Sequence, residues 1–331
     1  MSTTVTVWPG PPTRGAQSLI VDVSRPIMIC GVGRSGTSLL QSMLNAHPSV
    51  AIPPETHFFR RYVAPRRTRK KIEAETVDAL VRRLHGDESF ARLDMPVEEV
   101  VAGEQDAALD LVRVYRRMLE HWAQREGKQR IGDKDPRNLD FLPGLAAAFP
   151  DAAVLHIIRD PRAVVHSRMN ASWSAGRPWR SHAIVAQEQL RRGRADGQRL
   201  FGARYLEVRY EALLVDPRAT LTRICEHIDV PYDPAMLEFG ESARRLVSTD
   251  EMAWKKETLG PLLTNNSAKW RDGLEPAQVA FVEAVCVEAF DHAGYEREML
   301  RGGLASRLTH GAARALACVA FELRRCKETL R

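Results

Sequence analysis

Three groups of residues have the types and spacings to do chemistry, and all three suit the binding and transfer of an anionic group. The first is GVGRSGTS at 31–38, between a short apolar run (27–31, IMICG) and a stretch with helical apolar spacing (37–46, TSLLQSMLNA). A glycine-punctuated turn between strand and helix offers backbone N–H groups and a helix N-terminus to a phosphate. Against the pattern GxxxxGK[ST], Gly31, Gly36 and Ser38 match, while Thr37 stands where the lysine would be. In nucleoside triphosphatases that lysine reaches the β/γ-phosphates, so γ-phosphoryl transfer is disfavoured here and Arg34 offers a cation from inside the loop. The second group is VLHIIRDPRAVVHSRM at 154–169. Arg159 ends a buried strand and Ser167 follows eight residues later, two turns into the next helix. An arginine fork and a hydroxyl converging there suit a second phosphate; the plainer alternative is a local Arg159–Asp160 ion pair. The third group is Glu55, in Pro53-Pro54-Glu55-Thr56-His57, together with Lys134, in Lys134-Asp135-Pro136.

In transfer to a hydroxyl the acceptor loses its proton, and for such a reaction Glu55 is the candidate base. His57 is the rival, with the better ordinary titration range for neutral pH; two residues from Glu55, it would face the same side on a strand. Lys134 would cancel charge building on a leaving oxygen, and Arg34 shares that duty. A surface pair of Lys134 with Asp135 is the alternative and would contribute little.

These residues need a frame that brings strand ends together. The apolar runs 27–31 and 154–158 read as buried parallel strands, with further strands at 50–52, 131–134 and 204–209. Helices are expected at 37–46, 106–125, 138–149, 162–169 and 216–227; Asp160-Pro161 and Asp216-Pro217 supply a cap and a first-turn proline. Strand, turn and helix in repetition mean an α/β fold, an open parallel sheet of P-loop type with helices on both faces. We read a loose leader at 1–25, one main domain at 26–296 with a helical insertion at about 60–128, and a helical tail at 297–331.

The 331 residues, with 44% apolar and 27% charged, suit a full globular core. Lys and Arg number 48 against 42 Asp and Glu, a net charge of +6 that fits a polyanionic ligand and is too weak to argue for nucleic acid. No apolar run is long enough to span a bilayer and no signal peptide shows, so a cytoplasmic location is expected. Five scattered cysteines lack ligand spacing and read as reduced thiols, and no metal constellation is visible. The scattered histidines read as structural or solvated. Trp173 and Trp179 either line an acceptor pocket or pack within their own loop.

The loop at 31–38 and the Arg159/Ser167 pair together resemble the sulfotransferase family that uses 3′-phosphoadenosine 5′-phosphosulfate (PAPS). The resemblance covers roughly residues 26–58, 130–172 and 203–272. It implies Arg34, Ser35, Gly36, Thr37 and Ser38 for the 5′-phosphosulfate, and Arg159 and Ser167 for the 3′-phosphate. Further matches point to the tyrosylprotein sulfotransferase branch: Pro54-Glu55-Thr56, Lys134-Asp135-Pro136, Ser248-Thr249-Asp250 and Ala268-Lys269-Trp270. In that branch the last two touch the nucleotide, which implies Ser248 and Lys269, and Tyr210 matches a residue packed near the adenosine. The sequence departs from the branch in three ways: no membrane anchor precedes the domain, the interval from Ser248 to Lys269 is longer, and Ala171 stands where a second arginine is expected.

The resemblance implies in-line sulfuryl transfer to a hydroxyl of a peptide tyrosine, glycan, lipid or small metabolite, with fixed cations in place of a metal. A nucleotide kinase with an altered P-loop and a noncatalytic nucleotide-binding module are the alternatives. Arg60, Arg61, Arg66, Arg67, Arg69, Lys70 and Lys71 either border the acceptor entrance and draw an anionic acceptor, or form a solvated run. The tail from Arg301 carries seven Lys/Arg and two Asp/Glu; it is expected to contact anionic lipid, to associate with a second copy, or to cap its own domain.

Overall fold

A computed structural model describes residues 21–64, 76–174, 176–246, 262, 264–299 and 319. Five strands, β1 (Asp22–Gly31), β2 (Val50–Ala51), β3 (Arg130–Lys134), β4 (Ala153–Ile158) and β5 (Tyr205–Arg209), form one sheet in the order β2-β3-β1-β4-β5. Every pairing is parallel. The open parallel α/β sheet expected from the sequence is therefore the fold.

Alternation along β1 explains why both faces are covered. Ile27 and Ile29 point to one side and Met28 and Cys30 to the other, all essentially inaccessible to water. On the first side Ile27, Ile29, Leu155, Ile157 and Val208 pack with helices α1 (Thr37–Ala46), α7 (Tyr210–Val215) and α8 (Pro217–His227). On the second, Met28, Cys30, Ile131 and Val154 pack with α3 (Leu111–Arg125), α4 (Leu142–Ala148) and α6 (Trp179–Phe201). Among the described residues the crossover from β2 to β3 holds α2 (Val77–His85), two four-residue helices and α3. No helix among the described residues is long and apolar enough to cross a membrane.

Local chemistry fixes the boundaries, and some differ from expectation. β1 begins at Asp22, inside the stretch read as a loose leader, and its register with β3 shifts between Asp22 and Ile27. Pro26, with no N–H to give the ladder, lies at that shift. α3 starts at Leu111 rather than 106, because the Asp110 side chain accepts from Val112 and Arg113 N–H and caps the helix there. Pro136–Phe141 is a 3-10 turn ahead of α4, where one helix was expected from 138. The 23-residue α6 was not anticipated; it starts at Trp179, whose ring meets Phe281 edge-on at 5.1 Å. α5 (Pro161–Met169) begins as expected, with Asp160 accepting from Arg162 N–H at 2.8 Å. Cys30, Cys225 and Cys286 are buried free thiols. The residues from 65 to 75, Ser248-Thr249-Asp250 and all of the tail from Arg301 except Val319 lie outside the described residues.

Candidate active site

β1, β3 and β4 are central neighbours running the same way, so the residues that follow them gather along one sheet edge. Gly31 lies opposite Ile157 and Ile29 opposite Lys134. From β1 the chain runs to β2 at one edge and back to β3, then crosses to β4 on the other side of β1 and outward to β5. The crevice beside β1 is thus where such a sheet binds ligands.

The loop after β1 is closed by Ser35 N–H donating to the Val32 carbonyl at 3.0 Å. Arg34 (φ 79) and Gly36 (φ 100) both adopt left-handed backbone, a conformation that turns successive N–H groups toward a common centre. Gly36 caps α1 without a side-chain hydrogen bond, and the first turn of α1 holds no acidic residue. The positive end of this ten-residue helix is therefore not neutralised by its own cap. A Cβ on Gly31 would lie 2.5 Å from the Ile157 carbonyl, and one on Gly36 would lie 2.3 Å from the Tyr210 ring, so backbone and ring pass close to the loop. Thr37 is buried and Ser38 half-buried in the first turn of α1. Ser35 Oγ is buried and has no hydrogen-bond partner, a polar atom left for a ligand.

The residues expected at the second phosphate converge on this loop. Arg34 Nε donates to Ser167 Oγ at 3.0 Å. The Arg159 guanidinium donates to the carbonyls of Arg34 (3.1 Å) and Asn266 (2.9 Å) and lies 4.3 Å above the Tyr210 ring. Asn266 Nδ2 donates in turn to Tyr210 Oη at 3.1 Å. Arg159 Nε is buried without a partner. The local Arg159–Asp160 pair does not form: Asp160 holds Arg162 instead, at 2.7 Å. Ser35 and Arg159 both line a narrow cavity reaching Val164 of α5 and Gln187 of α6. Lys269 is half-buried just ahead of the turn Trp270–Gly273, three residues after Asn266. Asn266 had no signal in the sequence, since it acts through a backbone carbonyl and one amide.

On the other side of β1, Glu55 and Lys134 meet. Lys134 Nζ donates to Glu55 Oε2 at 2.5 Å, with Lys134 at 1% exposure and Glu55 at 15%. The expected alternative, Lys134 with Asp135, does not form, because successive residues leaving a strand point to opposite sides. Asp135 instead accepts from Arg60 Nε and lies against His57 Nδ1, both at 2.9 Å, while Arg137 N–H donates to its other oxygen. Burial pushes the Asp135 carboxyl up, but the His57 bond and the charges of His57 and Arg60 outweigh it and hold Asp135 well below the usual carboxylate range. His57 Nδ1 is also 3.2 Å from Glu55 Oε1. The two residues do share a place, but not by strand alternation: His57 is left-handed (φ 57). Glu55, His57 and Asp135 offer ligand-type atoms within 4.8 Å of one another, and Lys134 and Arg60 already stand on the two carboxylates.

Helix α1 sets where Glu55 lies. Gln41 Nε2 donates to the Pro53 carbonyl at 2.6 Å, and Asn45 exchanges hydrogen bonds with Ile52 at 2.8 and 3.0 Å. Gln41 and Asn45 are four apart on one helix face, the only sequence signal that pointed to them. Below Lys134, burial and the negative charge of Asp135 raise the Asp133 carboxyl to about 6, against the stabilising bond from Asn138. Arg60 and Arg61, offered as part of an anion-drawing rim, are held by Asp135 and Asp87. The other five cations of that run lie outside the described residues.

A glycine-rich loop and a carboxylate–lysine pair thus gather at one sheet edge as a candidate site, and comparison with known proteins gives the family. The profile of the sulfotransferase family matches residues 26–234; the chain belongs to that family. It is similar to protein-tyrosine sulfotransferase A of Caenorhabditis elegans, 26% identical over 271 residues that cover 78% of this chain and 64% of that protein. It is similar to protein-tyrosine sulfotransferase of Drosophila melanogaster, 28% identical over 65% of this chain and 40% of that protein. The chain thus spans less than two thirds of the length of either relative. Among solved structures, the sulfotransferase domain from the Synechococcus PCC 7002 olefin synthase aligns with a TM-score of 0.56 at 26% identity, covering 82% of this chain and 98% of that one. The sulfotransferase domain from the curacin biosynthetic pathway shares the fold, with a TM-score of 0.58 at 19% identity, covering 83% and 99%.

Proposed function

We propose that the protein is a sulfotransferase that moves the sulfuryl group of PAPS to an acceptor hydroxyl. The observation that carries this reading is the Glu55–Lys134 pair, on the same sheet edge as the loop at 31–38 and the Arg34/Ser167/Arg159 cluster. The donor residues fit an anion: a loop of inward N–H groups, an uncapped helix N-terminus, and the unpartnered Ser35 Oγ and Arg159 Nε.

The residues divide the reaction as follows. Arg34, Ser35, Gly36, Thr37 and Ser38 bind the 5′-phosphosulfate, Arg159 and Ser167 bind the 3′-phosphate, and Tyr210, Ser248 and Lys269 border the nucleoside. Glu55 takes the acceptor proton as the acceptor oxygen bonds to sulfur. The bond from sulfur to the bridging oxygen breaks in line, and adenosine 3′,5′-bisphosphate leaves. Lys134, released from Glu55, and Arg34 neutralise the charge that builds on that oxygen, the contribution that matters most in such transfers. The names of the curated relatives make a tyrosine peptide the first acceptor to assay, beside glycan, lipid and small-alcohol hydroxyls. Peripheral lipid contact or self-association through the tail belongs to the same proposal.

Calorimetry tests the donor, with tight binding expected for adenosine 3′,5′-bisphosphate and none for ATP with magnesium. A panel of hydroxyl acceptors with sulfur-labelled PAPS tests the transfer. Preference for ATP, with no transfer from PAPS to any acceptor, sinks the reading and favours the kinase alternative.

A further inference from the structure

Residues 266–273 lie along the stretch from Arg159 to His166 and touch it at three places. At the near end, the Asn266 carbonyl accepts from the Arg159 guanidinium at 2.9 Å, and the Asn266 side-chain amide donates to Tyr210, the ring on which that guanidinium rests. Four residues on, Trp270 packs with Ala163 of α5, and the Arg162 guanidinium lies 4.1 Å from the centre of its ring. At the far end a Cβ on Gly273 would lie 2.1 Å from His166 Nε2, so the backbone rests on the imidazole next to Ser167. Trp270 is the one large apolar side chain in this segment and is buried. Its seat is tied from several directions. Arg162 is itself buried; Asp160 holds its Nε and Nη2 at 3.0 and 2.7 Å, and the fully buried Glu283 of helix α9 (Pro276–Val285) holds Nη1 at 2.6 Å. A second guanidinium, Arg271, lies 4.6 Å from the same ring and is paired with Glu298. Glu298 N–H donates to Glu283 Oε1, the oxygen that also takes Arg162, so the contacts close into a ring of five residues. Each cation at the indole has its own carboxylate, which offsets the repulsion between them. A cation that water cannot reach is attracted to an aromatic face more strongly than an exposed one.

We propose that Arg162, acting through Trp270, is a positioning residue for the donor's 3′-phosphate: it seats the indole so that Asn266 sets the direction of the Arg159 guanidinium. The proposal deepens the PAPS reading and rests on it. Arg159 Nη1 and Nη2 are each aligned by a carbonyl, of Arg34 and of Asn266. A guanidinium is planar and rigid, so two fixed acceptors define its plane. The Arg34 carbonyl belongs to the phosphate loop itself, whereas the Asn266 carbonyl belongs to the segment that Trp270 anchors. Without the seat, Arg159 keeps one fixed acceptor and its fork can turn about it. The 5′ end of the donor, held by the loop at 31–38, has no part in this arrangement. The seat therefore acts on one phosphate only, and it governs how strongly the site prefers a nucleotide with a 3′-phosphate over one without.

Substituting Arg162 would leave Asp160 and Glu283 without their cation, so the test is placed on the indole. Trp270→Phe keeps an aromatic face for the guanidinium, and Trp270→Leu keeps apolar bulk without one. Calorimetry with adenosine 3′,5′-bisphosphate and with adenosine 5′-phosphate reads the preference for the 3′-phosphate as a ratio of Kd values. We expect Trp270→Leu to weaken the bisphosphate about 10-fold, the scale of a misaligned charge-assisted bond, and adenosine 5′-phosphate by less than about twofold. Trp270→Phe is expected to keep the ratio within about threefold of wild type. A fold that is merely loosened would weaken both nucleotides alike, and that result overturns the proposal. So does a wild-type ratio in Trp270→Leu, or a Trp270→Phe as poor as Trp270→Leu. Hydrogen exchange gives a readout without any nucleotide. The Arg271 and Leu274 amides, bonded to the Ala268 and Trp270 carbonyls, should exchange faster in Trp270→Leu while the amides of β1 do not; unchanged exchange at both overturns the proposal. A wild type that shows no preference for the bisphosphate over adenosine 5′-phosphate sinks the PAPS reading instead, so the two failures are distinguishable.

Discussion

The two sides of β1 carry opposite electrostatic designs. On the β4 side, the guanidinium of Arg159 donates to two backbone carbonyls and lies on an aromatic face, while Arg159 Nε and Ser35 Oγ have no partner. Its positive charge is held in place without being cancelled. On the β3 side, two carboxylates alternate with two fixed cations through one imidazole, and each carboxylate has its own cation. In the proposed reaction the first arrangement receives the polyanionic donor, and the second, complete by itself, opens at Lys134 before it acts. Affinity should therefore depend chiefly on the β4 side and turnover on the β3 side.

The sharpest break in that comparison is Glu55→Gln. It should lower kcat by about 10²–10⁴-fold, the usual cost of losing a general base, and leave the Kd for adenosine 3′,5′-bisphosphate nearly unchanged by calorimetry. A variant that loses donor affinity instead would place Glu55 on the binding side.

Next comes the acid beneath the β3 side. Asp133 titrates at about 6 when folded against a reference of 3.8, so between those values the folded state keeps a proton that the unfolded state has lost. Stability then falls as pH rises through this window and levels off above it. Asp133→Asn, which cannot ionise, should match wild type near pH 3 and exceed it by up to about 3 kcal/mol above pH 7. Urea melts at a series of pH values check this; a stability difference that does not change with pH would deny the raised titration.

Arg159→Ala sharpens the comparison from the opposite side. Loss of a charge-assisted hydrogen bond should weaken adenosine 3′,5′-bisphosphate by roughly 10- to 100-fold, with kcat at saturating donor close to wild type. Equal affinity of mutant and wild type would remove Arg159 from the donor site. The smallest effect is expected from Gln41→Ala, which releases the Pro53 carbonyl held by α1. It should cost about 0.5–1.5 kcal/mol in chemical denaturation and lower kcat a few-fold without changing donor affinity.

The β4 side was largely legible in the sequence and the β3 side only in part. Arg159, Ser167 and the loop at 31–38 each lie in a short segment where strand, turn and helix have their own signals, and parallel pairing of β1 with β4 brings them together. The Arg34–Ser167 bond itself spans 133 positions and depends on that register. Glu55 and Lys134 were recognisable as separate candidates, but their partnership was not. It depends on a two-residue β2, on the α1 side chains that hold residues 52 and 53, and on alternation that sends Lys134 and Asp135 to opposite sides. The left-handed backbone of His57 was not legible, since histidine, though enriched in that conformation, adopts it at only a small fraction of positions. Helix α6 was missed because its start, around Gly176 and Pro178, reads as a turn.

The close approach of Gly36 to the Tyr210 ring has a consequence for how this sequence can drift. A methyl group at position 36 and a six-membered ring at position 210 claim the same volume, and the ring is also the platform under Arg159. Neither position is free to change alone. Enlarging the first displaces the ring from beneath the guanidinium, and shrinking the second leaves a void under the loop. In a library randomised at both positions and sorted for folded protein, the survivors should be statistically linked, large side chains at 210 occurring only with glycine at 36. Recombination between distant relatives that separates the two segments should then produce offspring that fold less well than either parent.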